Sequence, residues 1–122
     1  MIGAAPAQAQ LPDRVVGSEC SSCRPTAMDT ADVDGDGALD VLVVAEADST
    51  LQWYENDGMG GYTKHTITSR VPTSIASADV DGDGDPDVLA ANPSTNTAYS
   101  EVVWYENDGS PSGGGWTKNV VA

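Results

Sequence analysis

The chain has 122 residues, and its 19 Asp and Glu against 5 Lys and Arg leave a formal charge of −14 and a pI near 4.1. That balance excludes a nucleic acid or an anionic membrane surface as partner, since both select a cationic face. With 39% hydrophobic residues, 13 Gly, 7 Pro, no Phe and no apolar run near the roughly 20 residues that a bilayer demands, it reads as a turn-rich chain of one domain with no membrane insertion.

Residues 1–10 (MIGAAPAQAQ) end in Ala7-Gln8-Ala9, a small-residue pattern of the secretory cleavage type, without the charged and long apolar stretches that precede such a site. They are expected to be a signal-peptide remnant or a flexible N-terminus, outside the core, and they favour a secreted or periplasmic location. Residues 11–25 follow as an outer strand plus a loop, because Asp13-Arg14-Val15-Val16 resembles Asn119-Val120-Val121 near the other end. The loop holds Cys20-Ser21-Ser22-Cys23. One C-x-x-C pair in an exported chain favours a short local disulfide over a zinc or redox motif, with free or intermolecular thiols as the alternative.

A tandem repeat dominates the rest of the chain. Asp32-Val33-Asp34-Gly35-Asp36-Gly37-Ala38-Leu39-Asp40 recurs as Asp79-Val80-Asp81-Gly82-Asp83-Gly84-Asp85-Pro86-Asp87, an offset of 47. Trp53-Tyr54-Glu55-Asn56-Asp57-Gly58 recurs as Trp104-Tyr105-Glu106-Asn107-Asp108-Gly109 at an offset of 51, and Tyr62-Thr63-Lys64 as Trp116-Thr117-Lys118 at 54. The offset grows only between motifs, so the second copy carries four extra residues after its Asp-rich loop and three after its Asn-Asp-Gly turn; insertions of this kind sit in loops.

Turn signals cut each copy into four extended segments. In residues 26–73 they are Ala27–Val33, Asp40–Ala45, Leu51–Glu55 and Tyr62–Ile67; in residues 74–122 they are Ser74–Val80, Asp87–Ala91, Val102–Glu106 and Trp116–Val121. Val41 to Val44 is an unbroken apolar run, as a strand covered on both faces requires. No stretch holds a helical apolar period over three turns. The chain is therefore expected to be all-β, two tandem four-stranded antiparallel propeller blades.

The copies resemble the FG-GAP/VCBS-type repeats, which carry the loop D-x-D-G-D-G-x-x-D between the first two strands of a blade. Both loops match at every acidic position, the Trp-Tyr-Glu-Asn-Asp-Gly segment resembles the bacterial form of the repeat, and the likeness spans about residues 26–122. It implies a propeller of the kind found in integrin alpha chains, some fungal lectins and many secreted bacterial proteins.

Nine of the 19 acids fall in the two loops. Alternate carboxylates through a tight turn, with glycines relieving the backbone, build a cage of hard oxygens suited to Ca²⁺ more than to Mg²⁺. The candidate ligands are Asp32, Asp34, Asp36, the Ala38 carbonyl and Asp40 in the first loop, and Asp79, Asp81, Asp83, the Asp85 carbonyl and Asp87 in the second. Two like charges 5 Å apart repel by about 1 kcal/mol in water and about 3 at an effective dielectric of 20, so such a loop opposes its own closure until a divalent cation arrives. An EF-hand would need an acid at position 12, where Val43 and Ala90 stand, and flanking helices.

Other residues carry weaker signals. His65 is the lone histidine, so no Ser/His/Asp or Cys/His set is available, and it reads as a surface residue. Trp53-Tyr54 and Trp104-Tyr105 favour packing between blades over stacking on carbohydrate. The Asn-Asp-Gly segments read as hairpin turns. They share one end with the Asp loops, leaving residues 17–25, 46–50, 68–73 and 92–101 at the other, with Asn92–Glu101 the best candidate for ligand contact. Two blades leave apolar faces that a longer chain, an isologous dimer or a ring of three or four copies would cover. The expected function is a calcium-binding scaffold or binding module for a glycan or a protein, with no catalysis; a carbohydrate-active enzyme or lectin is the alternative.

Overall fold

A computed structural model describes residues 22–92 and 100–122. The leader, the expected strand at residues 13–16, Cys20 and most of the 92–101 segment lie outside the described residues. Eight strands follow one another: β1 (Pro25–Ala31), β2 (Asp40–Ala45), β3 (Thr50–Asn56), β4 (Tyr62–Thr68), β5 (Ser74–Ala78), β6 (Asp87–Asn92), β7 (Glu101–Asn107) and β8 (Trp116–Val120). They form two antiparallel sheets in the simple orders β1-β2-β3-β4 and β5-β6-β7-β8. One turn of 3-10 helix, Pro111–Gly113, interrupts the β7–β8 link, and no helix among the described residues is long and apolar enough to cross a membrane.

Length differences between the copies fall in links, as the offsets require. The β2–β3 link has four residues and the β6–β7 link eight; β3–β4 has five and β7–β8 eight. Most strand ends differ from the sequence expectation by a residue or two, and at two of them the cause is clear. β1 stops at Ala31 and β5 at Ala78, short of Val33 and Val80. The reason is a competing acceptor: Val33 N donates to Asp40 Oδ2 and Val80 N to Asp87 Oδ2, both at 2.8 Å, so neither amide joins a ladder.

Alternation sorts each sheet into two faces. In the first, Leu42 pairs with Trp53 and Val44 with Leu51, which sets all four side chains on one face, here called the front. In the second, Val88 pairs with Tyr105 and Ala90 with Val103. These eight side chains and Val33 make a single buried cluster. By the repeat offsets, Val88, Ala90, Val103 and Tyr105 correspond to Val41, Val43, Gln52 and Tyr54, on the back of the first sheet. The front of one blade thus packs on the back of the next, and a fully buried Val, Leu or Ile in this seam contributes about 1.5–3 kcal/mol.

Polar contacts close the same seam. Asp29 Oδ2 on β1 accepts from both Ser77 N and Ser77 Oγ on β5, at 2.7 and 3.0 Å. The front of the second blade is open by comparison. Leu42, Val44, Leu51, Trp53 and Val33 are at most 1% exposed, whereas their counterparts include Val80 at 43% and Val102 at 46%, with Leu89 and Trp104 half-buried. On the back of the first blade, Val43, Gln52 and Tyr54 are buried.

The paired tryptophans report this asymmetry. Trp53→Ala empties the seam and is expected to cost about 3–5 kcal/mol in urea unfolding with CaCl₂ present, whereas Trp104→Ala costs less than half as much. Equal losses would contradict the front-on-back packing.

Candidate metal centre

Each aspartate loop is folded by its own side chains. Asp32 accepts from Asp36 N at 3.1 Å and from Gly37 N at 2.9 Å, and Asp36 Oδ1 accepts from Ala38 N at 2.9 Å. In the second loop Asp79 accepts from Gly82, Asp83 and Gly84 N, and Asp83 Oδ1 from Asp85 N. Such turns require left-handed backbone at the glycines: φ is 74° and 92° at Gly35 and Gly37, and 75° and 94° at Gly82 and Gly84.

The last aspartate of each loop does something different. Asp40 is fully buried; one carboxylate oxygen takes Val33 N and the other takes Asn56 N at 2.8 Å. Asp87 repeats this with Val80 N and, at 2.9 Å, Asn107 N. A side chain at the start of the second strand thereby ties the loop to the end of the third. The Asn-Asp-Gly turn is held beside it, with Asn56 Nδ2 donating to Leu39 O at 3.0 Å and Asn107 Nδ2 to Pro86 O at 3.2 Å.

Carboxylates converge at both loops. Asp32, Asp34 and Asp36 each bring an oxygen within 4.8 Å of the others, and Asp79, Asp81 and Asp87 do the same. The convergent sets differ: Asp36 belongs to the first and Asp87 to the second, while Asp40 and Asp83 stand outside them. Oxygens around one Ca²⁺ at 2.3–2.6 Å are at most about 5 Å apart, so an all-carboxylate donor set at this spacing fits a hard divalent cation.

The crowding is visible in proton affinity. Loss of solvent, then the charge of Asp40, pushes the Asp34 carboxyl up to about 7. Asp81 rises to about 6, from loss of solvent first and then from its side-chain bond to Asp83 and the charges of Asp83 and Asp87. Burial also raises Asp40 against the pull of its amide donors. Asp79 moves the other way, held ionised by the Gly84 amide.

The remaining candidates divide. Trp53, Tyr54 and Tyr105 are buried in packing, and Trp104 is half-exposed. His65 departs from the surface reading: it stacks on Trp53 with ring centroids 4.6 Å apart and bonds Glu55 at 2.8 Å, because β4 sets it directly opposite Trp53. Cys23 is buried and disulfide-bonded. Asn92 is buried at the end of β6, and Glu101 meets Lys118 at 2.8 Å. Sequence reasoning treated Asn107 only as a turn residue, yet its Nδ2 also donates to Val33 O in the other sheet at 2.8 Å. Only the recurrence of Asn beside Asp-Gly in both copies hinted at more.

The raised carboxyls have a definite sign. A folded-state pKa above the unfolded value stabilises the fold below the unfolded value and loses that contribution as pH rises through the folded one. The metal-free chain is therefore expected to melt at its highest temperature near pH 4–5 and progressively lower up to about pH 7, for Asp34 and Asp81 together. Thermal unfolding in chelator-stripped buffers checks this; a melting temperature that climbs steadily from pH 5 to 8 would contradict it.

Comparison with known proteins agrees with this architecture. No curated protein and no solved structure matches the chain. Residues 32–90 do match a described family, the FG-GAP-like repeat, from the first residue of the first aspartate loop to the middle of β6. Residues 32–90 thus resemble an FG-GAP-like repeat, and the two four-stranded antiparallel sheets are consistent with blades of such a repeat.

Proposed function

We propose that the protein is an extracellular, calcium-stabilised propeller-blade module that scaffolds or binds a glycan or protein ligand and has no chemistry of its own. The observation that carries this reading is the pair of carboxylate clusters, each within 4.8 Å, in the matching loops of an FG-GAP-like repeat. Asp32, Asp34, Asp36, the Ala38 carbonyl and Asp40 would hold one ion, and Asp79, Asp81, Asp83, the Asp85 carbonyl and Asp87 the other. Bound Ca²⁺ supplies positive charge that removes the carboxylate repulsion. The loop residues then serve structure: their oxygens are already committed to backbone amides, and His65 is committed to Trp53 and Glu55. The disulfide at Cys23 supports an oxidising compartment.

Calcium tests the metal part directly. With free Ca²⁺ at 100 times the dissociation constant, each site adds about 2.7 kcal/mol. Two sites would raise the melting temperature by on the order of 15 °C over the chelated protein. An unchanged melting temperature removes the metal from the reading. A glycan array scored both for retention and for released product separates binding from the alternative of a carbohydrate-active enzyme.

Self-association follows from the open front of the second blade. Leu89, Ala91, Val102 and Trp104 stand where the first blade uses Leu42, Val44, Leu51 and Trp53 to form the seam. The middle of the back of the first blade, at Val43, Gln52 and Tyr54, is already buried, which favours a two-fold dimer through the exposed fronts over a head-to-tail ring. Of the two-fold arrangements, one that sends the aspartate loops to opposite ends keeps a chain of charge −14 from opposing its own copy. Light scattering in CaCl₂ is expected to give twice the chain mass of 12.6 kDa, reverting to the monomer for Val102→Asp. A monomer at high concentration, or a mass of three or more chains, would overturn the dimer.

A further inference from the structure

The two aspartate loops belong to different sheets, yet one line of hydrogen bonds joins them. Asp40 Oδ2 accepts from Val33 N at 2.8 Å, and the Val33 carbonyl accepts from Asn107 Nδ2, also at 2.8 Å. Asn107 N then donates to Asp87 Oδ1 at 2.9 Å, and Asp87 Oδ2 accepts from Val80 N at 2.8 Å. Asp40, Val33, Asn107 and Asp87 are all at most 1% exposed, so water does not compete for these bonds.

The internal repeat supplies a control. Asn56 holds the same place in the first sheet: its amide serves Asp40, its Nδ2 the Leu39 carbonyl and its Oδ1 Gly58 N. Asn107 makes the three equivalent bonds, to Asp87, Pro86 O and Gly109 N. Its bond to Val33 O is additional and crosses the seam. The Val33 carbonyl shares a rigid peptide plane with the Asp34 amide, so Asn107 fixes the backbone from which the Asp34 carboxylate reaches its cluster.

We infer that Asn107 couples the two loops, so that they take up Ca²⁺ with positive cooperativity. The inference rests on the calcium reading of the loops. An ion in the second loop orders Asp87, Asp87 holds Asn107, and Asn107 keeps the Val33–Asp34 peptide in the orientation the first loop needs. By linkage the first ion favours the second to the same degree. The element with two states is the loop itself, closed around an ion or sprung open by its carboxylates.

Calorimetric titration of the chelator-stripped full chain with CaCl₂ tests the coupling. Asp81→Asn weakens the second loop at an exposed side chain and is expected to lower the affinity of the first loop about fivefold or more. With Asn107→Ala also present, that dependence disappears, whereas with Asn56→Ala it remains. Titration of the unaltered chain without any Ca²⁺ binding would remove the calcium reading and the coupling together. Two sites that ignore each other, with Asp81→Asn leaving the first loop unchanged, would overturn the coupling alone. Should Asn107→Ala fail to fold, amide exchange decides on the Asp81→Asn chain: the Val33 and Asp34 amides are expected to lose protection in CaCl₂, and equal protection would overturn the inference.

Discussion

Two buried carboxylates organise each blade and the seam between blades. Asp40 and Asp87 accept one amide from the beginning of the preceding loop and one from the end of the third strand. Hydrogen bonds to a charged group contribute roughly 1.5–3 kcal/mol each, and a carboxylate buried without them would be a severe cost. The clamp therefore decides where the first strand of each blade ends, since it takes the amide that would otherwise extend the ladder. It also fixes the asparagine that follows. Burial still lifts Asp40 above the ordinary carboxylate range, which is the condition under which a nearby cation stabilises the ionised form most.

From that clamp follows the stacking of blades. With the third strand held in register, Trp53 and Leu51 fall opposite Leu42 and Val44, and the apolar front has no alternative but to meet the back of the next sheet. A front-on-back interface is heterologous, so any finite number of blades leaves one front and one back to be dealt with. Here the middle of the back, at Val43, Gln52 and Tyr54, is buried, and the front is open. Val33 and Val80 measure the difference at one repeat position, 1% against 43% exposed.

Much of this was legible in the residues. Turn signals and the recurring motifs located all eight strands, and the changes in offset located the longer β6–β7 and β7–β8 links. The carboxylate loops announced themselves by matching in two copies. What stayed hidden depends on contacts between distant positions. Asn107 and Val33 are 74 residues apart, and no local pattern distinguishes Asn107, which has a blade before it, from Asn56, whose bonds among the described residues stay within its own sheet. The pairing of His65 with Glu55 and its stacking on Trp53 likewise needed the β3–β4 register, which is set by the length of the turn between them. Which three aspartates of each loop converge also lay beyond sequence, because it turns on side-chain rotamers within loops whose acids look alike.

Matching loops in unequal surroundings show how neighbouring blades tune a site. The first loop lies against the second blade and its Asp34 is half-buried, whereas Asp81 of the second loop is exposed. Loss of solvent leads the causes in both, and both carboxyls are pushed up from the ordinary carboxylate value. Covering the open front of the second blade would bring Val80 toward the state of Val33 and remove water from Asp81. Desolvation by a neighbour disfavours the bare carboxylates and strengthens every attraction to a bound cation, because the local dielectric falls. Blade stacking and metal uptake thus act on the same charges, and each stands to reinforce the other.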